Sequence, residues 1–259
     1  MAWDPTHYLR YADERGRPFV ELLARVDAEP RRIVDLGCGP GNVTALLARR
    51  WPEASVLGVD SSPEMIERAR ADHAEHPTLR FETGDLRTWA PQEAYDLVVS
   101  NATLQWVPGH LELLPRLLGA VAPGGTLAFS VPGNFDEPSH TLRRDLAAQQ
   151  PYAAHLADIA TPGSHDAATY LAALAAEGAD VDAWETTYLH VLRGEDPVLT
   201  WVSATGARPT LEALPDDLRH RFTEEFAAAL RSAYPVTEVG GEPGVVLPFR
   251  RVFVVARRG

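Results

Sequence analysis

A glycine-rich loop after a predicted buried strand is the first segment with a chemical signature. It reads Asp35-Leu36-Gly37-Cys38-Gly39-Pro40-Gly41-Asn42, with three glycines at alternate positions. Glycine permits a tight turn and a close approach of a ligand to the backbone. A dinucleotide fingerprint needs Gly or Ala where Asn42 stands, and Asp35 would repel a pyrophosphate but attract an ammonium group. The loop therefore predicts a nucleoside ligand with a positive group, a requirement that S-adenosylmethionine meets.

Polar side chains also follow the next three predicted strands. Asp60 stands about 20 positions after Gly39, the spacing of an acid that binds ribose hydroxyls. Asp85 follows the third strand, where a carboxylate can accept a hydrogen bond from an adenine amino group, and Asn101 follows the fourth. Ligands of doubly wound sheets bind at the carboxyl ends of the strands. We therefore predict that these side chains share one cofactor site with the glycine loop.

The elements that must position these residues alternate between short apolar runs and helical patterns. The predicted strands of this part are 33–36, 55–59, 79–82, 95–100 and 126–131. Apolar residues at helical spacing lie between them, and Ser62-Pro63-Glu64 has the cap, proline and early acid of a helix start. This alternation predicts βαβ units, and the right-handed crossover rule favours an open, doubly wound α/β sheet.

The pattern changes after residue 132. Residues 133–178 predict helices without an intervening strand, 180–189 and 251–256 predict strands, and 216–234 predicts an amphipathic helix. We predict a single domain, 1–259, with an N-terminal helical flap (1–30), a cofactor-binding core (31–132), a helical insert with the sixth strand (133–215), and a last helix and strand (216–259). The insert is either a substrate lid or padding over the core.

Composition excludes several function classes. The chain has 259 residues, and 24 basic against 36 acidic residues give a formal net charge of −12, which disfavours binding to nucleic acid or to an anionic membrane surface. All the basic residues are Arg, so neither a Schiff-base lysine nor a P-loop lysine is available. Cys38 is the only cysteine, and the histidines show no metal-binding spacing. Without a signal-peptide pattern or a membrane-length apolar run, we expect a cytoplasmic protein without a metal.

At this point the residues resemble the class I S-adenosylmethionine-dependent methyltransferases. The resemblance lies in the glycine loop, Asp60, Gly84-Asp85-Leu86 and Pro123-Gly124-Gly125, over about residues 31–132. It implies a mostly parallel, seven-stranded Rossmann-like sheet, with an antiparallel last strand slotted between two others. It also implies S-adenosyl-L-methionine as cofactor, bound by Asp35, Gly37, Gly39, Asp60, Ser61, Met65, Asp85, Leu86 and Asn101.

A closer resemblance covers nearly the whole chain. The segments 101–106, 137–140, 184–188 and 204–209 are similar to a subgroup of that family that methylates one carboxylate of trans-aconitate. The implied product is a monomethyl ester. A carboxylate with a pKa near 4 is already ionised at neutral pH, so the reaction requires alignment rather than a general base, and we expect no catalytic residue.

Aligning a tricarboxylate in an acidic protein requires a local cluster of arginines, whose planar guanidinium binds a carboxylate at two points. The candidate substrate-binding residues are Arg144, Arg208, Arg250 or Arg251, His140, Trp106 and Tyr8. Trp3, Tyr8, Tyr11 and Arg17 form a candidate flap over the cofactor. Two alternatives stay open: a methyltransferase of the same fold that acts on another small acid or a lipid-like molecule, and a non-catalytic module that binds S-adenosylmethionine.

Overall fold

The computed structural model describes residues 16–157, 159 and 161–259. The candidate flap residues Trp3, Tyr8 and Tyr11 lie outside this part of the chain. Arg17 lies inside it, at the start of helix α1, and its guanidinium pairs with Glu21 at 2.8 Å.

The described strands form an eight-stranded sheet in the order β3-β2-β1-β4-β5-β8-β6, with β7 paired to β8. Their bounds are β1 Arg32–Leu36, β2 Ser55–Asp60, β3 Leu79–Thr83, β4 Tyr95–Asn101, β5 Val121–Pro132, β6 Asp180–Leu192, β7 Thr237–Val239 and β8 Glu242–Arg257. β1 is parallel to β2 and β4, β2 to β3, and β4 to β5, while the C-terminal strands are antiparallel. The predicted doubly wound α/β fold, with the last strand between two others, is confirmed.

Helices connect these strands. They are α1 Arg17–Ala24, α2 Thr44–Arg50, α3 Pro63–Asp72, α4 Leu114–Gly119, α5 Pro138–Ala147, α6 Ala153–Leu156, α7 Ala167–Ala176, α8 Pro197–Ser203, α9 Arg208–Ala213 and α10 Asp216–Ala233. The predicted start of α3 is confirmed, since the Met65 N–H donates to the Ser62 hydroxyl, which caps the helix. The apolar stripe predicted for α10 is also confirmed, because Phe222, Phe226 and Leu230 are buried.

The predicted strand bounds are wrong at three places, and the sheet has eight strands where seven were predicted. β6 ends at Leu192 and not at residue 189. β5 begins at Val121 and not at residue 126. The two glycines before residue 126 pair with Arg258, because the Gly124 N–H donates to the Arg258 carbonyl and the Arg258 N–H donates to the Gly125 carbonyl. β8 begins at Glu242 and not at residue 251, because β7 pairs with its first residues as a hairpin. Gly240 and Gly241, both with positive φ, form the turn of that hairpin. The sequence prediction had no strand at β7.

The chain divides into two compact units, each with its own core. Of the described residues, unit 1 comprises those in 16–131, 165–185 and 252–259, and unit 2 comprises those in 132–164 and 186–251. The core of unit 1 contains the apolar residues of β1, β4 and β5 with Tyr170 and Leu174 of α7. The core of unit 2 contains Phe222, Phe226 and Leu230 of α10 with Tyr152. No helix of the described residues is long and apolar enough to cross a membrane.

Candidate cofactor site

A cavity of about 320 Å³ opens in unit 1 at the carboxyl ends of its parallel strands. This is the edge at which sheets of this kind bind ligands, and the volume lies in the range of small-molecule pockets. The lining residues are Leu36, Gly37, Val59, Asp60, Ser61, Gly84, Asp85, Leu86, Arg87, Thr103, Trp106, Val107 and Pro108. The tertiary structure therefore brings Gly37, Asp60, Ser61, Asp85, Leu86 and Trp106 together from distant parts of the chain.

The glycine loop is held against the end of β2 by backbone hydrogen bonds. The N–H groups of Gly37 and Cys38 both donate to the Val59 carbonyl, at 2.7 and 3.1 Å. Gly37 has a φ of +81°, and a Cβ built there would lie 2.1 Å from the Thr103 hydroxyl oxygen. At Gly39, with a φ of +55°, the space is open instead. Glycine is thus required at residue 37 by backbone conformation and close packing together.

Asp60 joins the glycine loop to helix α3. Its Oδ2 accepts a hydrogen bond from the Gly39 N–H, and its Oδ1 accepts one from the Ser62 N–H, each at 2.9 Å. The carboxylate is half-buried and lines the cavity. Each carboxylate oxygen can accept more than one hydrogen bond, so Asp60 retains acceptor capacity for a pair of hydroxyls.

Asp35 is a buried carboxylate with one oxygen unpartnered among the described residues. Its Oδ2 accepts a hydrogen bond from the Thr44 hydroxyl at 2.7 Å, while its Oδ1 has no partner. Burial raises the pKa of Asp35 to about 6; the Thr44 hydrogen bond opposes this rise and the charge of Asp60 adds to it. An ionised carboxylate that is 1% exposed and half-satisfied is expected to bind a cation. An ammonium group of a ligand would meet that requirement.

Asp85 and Leu86 lie after β3, on the cavity lining. The Arg87 guanidinium donates to the Asp85 carboxylate, and this contact lowers the pKa of Asp85. The predicted adenine-binding carboxylate is therefore already ion-paired, and an adenine amino group would share it with Arg87. Leu86 is buried and supplies an apolar surface for a ring.

The segment after β4 brings a further residue to the cavity that sequence reasoning missed. The Thr103 hydroxyl contacts the carbonyl oxygens of Gly37 and Asn101, each at 3.2 Å. Ala102 has a φ of +53°, a conformation that costs a non-glycine residue about 1–2 kcal/mol. The Asn101 side-chain oxygen accepts a hydrogen bond from Ser130 at 2.6 Å, and Trp106, 41% exposed, lines the cavity.

The donor and acceptor set fits a zwitterionic nucleoside. It offers a buried, half-satisfied carboxylate for a cation, a strand-end carboxylate for ribose hydroxyls, and an apolar surface beside a third carboxylate for adenine. Four of the predicted cofactor residues, Asp35, Gly39, Met65 and Asn101, are not among the lining residues. Gly39 and Asn101 are linked to the cavity through Asp60 and Thr103, whereas Met65 is exposed on α3. Sequence reasoning also missed Arg87 and Thr44, which no spacing signal identifies.

Neither Cys38 nor a metal offers an alternative chemistry in this part of the structure. Cys38 is buried, and burial raises the pKa of its thiol far above the usual value, so it is not a nucleophile at neutral pH. No group of His, Cys, Asp and Glu side chains among the described residues could hold a metal ion.

Of the residues predicted to bind substrate through charge or hydrogen bonds, the arginines and His140 all lie in unit 2. Tyr8 lies outside the described residues. Arg144 is exposed on α5 and lines a second cavity, and His140 lies one turn before it. Arg208 is exposed and pairs with Glu212 at 2.7 Å, the arrangement of an ordinary surface arginine. The Arg250 carbonyl accepts the Gly133 N–H, and Arg251, 8% exposed, has two nitrogens without a partner among the described residues.

We expect Asp35→Asn to stabilise the folded protein at pH 8 by up to roughly 3 kcal/mol. The variant removes a desolvated charge and retains an acceptor for the Thr44 hydroxyl. Because the folded pKa of about 6 lies above the usual value of 3.8, the wild type loses stability as pH rises through this range, and the variant does not. Urea unfolding at pH 5.5 and 8 should show the difference widening at the higher pH.

Asp72→Asn is the matched control, since Asp72 is an exposed carboxylate paired with Arg68. Its effect on the free energy of unfolding should remain small. An Asp35→Asn variant less stable than the wild type at pH 8 would contradict the description of Asp35 as a desolvated carboxylate with one unpartnered oxygen.

Comparison with known proteins identifies the family. A model of the methyltransferase domain matches residues 33–125. A trans-aconitate 2-methyltransferase from Streptomyces avermitilis is 55% identical, over 99% of this chain and 97% of the relative. One from Streptomyces coelicolor is 53% identical over 99% of this chain and 86% of the relative, and one from Methylobacterium radiotolerans is 47% identical over 99% and 98%.

Solved structures share the fold. The YcgJ protein from Bacillus subtilis has a TM-score of 0.59 at 13% identity, covering 93% of this chain and 97% of its own. An S-adenosylmethionine-dependent methyltransferase from Mesorhizobium loti has a TM-score of 0.54 at 24% identity, covering 94% and 98%. The predicted methyltransferase activity and its S-adenosylmethionine cofactor are confirmed. With relatives more than 50% identical over almost its whole length, the chain belongs to the trans-aconitate 2-methyltransferase family.

Proposed function

We propose that the protein transfers a methyl group from S-adenosylmethionine to one carboxylate of trans-aconitate and forms the monomethyl ester. The observation that carries this proposal is the near full-length identity of 47–55% to relatives named for that reaction. The cavity of unit 1 supports it, because its strand-end carboxylates and glycine loop suit the cofactor.

The proposed cofactor contacts follow from the geometry of the site. Asp35 Oδ1, buried without a partner among the described residues, would accept hydrogen bonds from the ammonium group. Asp60, oriented by the amides of Gly39 and Ser62, would accept from the ribose hydroxyls. Leu86 would pack against the adenine ring, with Asp85 near its amino group. Ser61, Met65 and Asn101 remain proposed contacts around the same edge of the sheet.

The reaction requires positioning and exclusion of water. When bound, S-adenosylmethionine supplies a methyl group whose bond to the sulfonium sulfur breaks as a carboxylate oxygen bonds to the methyl carbon, leaving a neutral thioether. The acceptor is already ionised at neutral pH, so no side chain needs to remove a proton. Thr103, Trp106 and Val107 line the cavity. Alignment of this kind can supply roughly 7–11 kcal/mol of the barrier.

A methyl-transfer screen tests the proposed acceptor. The protein is incubated with S-adenosylmethionine labelled on the methyl group and with trans-aconitate, cis-aconitate, isocitrate, citrate or a medium-chain fatty acid. We expect the highest turnover with trans-aconitate and a product that mild base hydrolyses, since a carboxylate methyl ester is base-labile. Preference for another acid would assign a different acceptor to the same type of reaction. Binding of S-adenosylhomocysteine without transfer to any acid would indicate a non-catalytic module.

The affinity for S-adenosylhomocysteine should depend on pH through Asp35. Because its pKa is about 6, Asp35 becomes protonated as pH falls through this value. The negative charge that would pair with the ammonium group is then lost. Titration calorimetry between pH 8 and pH 5.5 should show an affinity about fourfold lower at the acid end, the ratio that such a pKa dictates. In Asp35→Asn the affinity should be low and almost independent of pH. The same pH dependence in both proteins would refute the assigned contact.

Asp60→Ala should lower the affinity for S-adenosylhomocysteine by at least about tenfold, because hydrogen bonds to a charged group contribute roughly 1.5–3 kcal/mol. Asp60 also orders the glycine loop, so the thermal unfolding temperature is measured beside the affinity. Asp72→Ala, a change to an exposed carboxylate on the neighbouring helix, is the control. Wild-type affinity in a folded Asp60→Ala protein would contradict the ribose contact.

A further inference from the structure

A second cavity, of about 310 Å³, lies entirely within unit 2. Helix α5 supplies Arg143, Arg144 and Ala147 to its lining, Ala148 follows at the end of that helix, and α9 supplies Thr210. Small and apolar side chains complete it, namely those of Ala153, Leu156, Ala157, Ile159 and Thr161. None of the described lining residues is acidic.

Arg143 is the unusual member of this lining. It is 6% exposed, and its Nη1 donates to the Thr210 hydroxyl at 2.7 Å, while its Nε has no partner among the described residues. Thr210 is itself buried. A buried guanidinium carries five N–H donors and a full charge, so a single neutral acceptor leaves it largely unsatisfied. Such a group is expected to have an anionic partner.

The surroundings of Arg143 increase the positive potential. Arg144 lines the same cavity, and its charge together with burial lowers the pKa of Arg143. His140, one turn earlier on the same face of α5, has its pKa lowered to about 4 by burial and then by both arginines. The imidazole is therefore neutral at physiological pH, and among the described lining residues only the guanidinium groups of Arg143 and Arg144 are charged.

We propose that this cavity binds a small di- or tricarboxylate, with the buried Arg143 guanidinium held by Thr210 as its anchor and Arg144 as a second cationic contact. Arginine presents two parallel N–H groups to a carboxylate, and the free Nε of Arg143 belongs to one such pair. The volume suits a molecule of about a dozen non-hydrogen atoms and leaves no room for a macromolecule. Sequence reasoning selected Arg144, whereas the buried anchor is its neighbour.

The carboxylate has two possible sources. It is either the methyl acceptor, in which case the inference rests on the proposed function and identifies a specificity residue, or a second carboxylate that regulates the enzyme. The chemistry of recognition is the same in both cases, and kinetics distinguishes them.

Direct binding is measured first, without cofactor and without turnover. Tricarballylate, a saturated tricarboxylate, is titrated calorimetrically into the wild type, Arg143→Met, Arg143→Lys and Arg221→Met. Arg221 is exposed and paired with Glu225, so its variant is the matched control. We expect Arg143→Met to bind at least tenfold more weakly, Arg143→Lys to recover part of the affinity, and Arg221→Met to bind like the wild type. The uncharged trimethyl ester of tricarballylate should not bind.

The kinetic measurement assigns the source. If the anion is the acceptor, Arg143→Met raises the KM for trans-aconitate at least tenfold, with little change in kcat and none in the affinity for S-adenosylhomocysteine. If the anion is a regulator, tricarballylate binding is lost while the KM is retained. Either result supports the site. A wild type that binds tricarballylate but does not methylate trans-aconitate would refute the proposed function and leave the site in place.

Tricarballylate binding by Arg143→Met equal to that of the wild type, or binding of the neutral ester as tight as that of the acid, would overturn the proposal. Where Arg143→Met does not fold, Arg144→Met serves instead, because Arg144 is exposed and its loss leaves the packing of α5 intact. That variant should bind tricarballylate severalfold more weakly at an unchanged unfolding temperature. Unchanged affinity in a folded Arg144→Met protein, with a neutral ester that binds as well as the acid, would likewise exclude an anion site.

Discussion

The candidate cofactor site of unit 1 depends on the end of β2, where three consecutive amides of the glycine loop find their acceptors. Gly37 and Cys38 donate to the Val59 carbonyl, and Gly39 donates to the Asp60 carboxylate. Asp60 also accepts from Ser62 at the start of α3. One short segment thus sets the loop, the helix and the orientation of the proposed ribose-binding carboxylate. Since buried amides must be paired, the loop has little freedom to take another conformation.

Function and stability are in conflict at Asp35. Its burial beside a single hydroxyl donor leaves one carboxylate oxygen unsatisfied among the described residues and raises its pKa to about 6. A protein selected for stability alone would place an apolar or amide side chain there. The retained charge agrees with the proposed cofactor contact, in which an ammonium group would restore the missing interaction. The same reasoning applies to Arg143 in unit 2, with the signs of the charges reversed.

Both units therefore contain a charge whose partner is absent from the described residues. In unit 1 a carboxylate fits the positive end of S-adenosylmethionine, and in unit 2 a guanidinium fits a small carboxylate. Neither group gains from burial by itself, because desolvation of a charge exceeds the benefit of one neutral hydrogen bond.

The doubly wound sheet, the glycine loop and the acids at the strand ends are predictable from the amino-acid sequence, because apolar periodicity and turn chemistry are local properties of the chain. The tertiary structure was needed to show that Thr103 packs on Gly37, that Arg87 pairs with Asp85, and that β8 starts at Glu242. It also decided between two adjacent arginines. Arg143, and not Arg144, is buried, because Thr210, 67 positions away, accepts its hydrogen bond. Pairing of this kind depends on residues remote in sequence, and no local pattern encodes it.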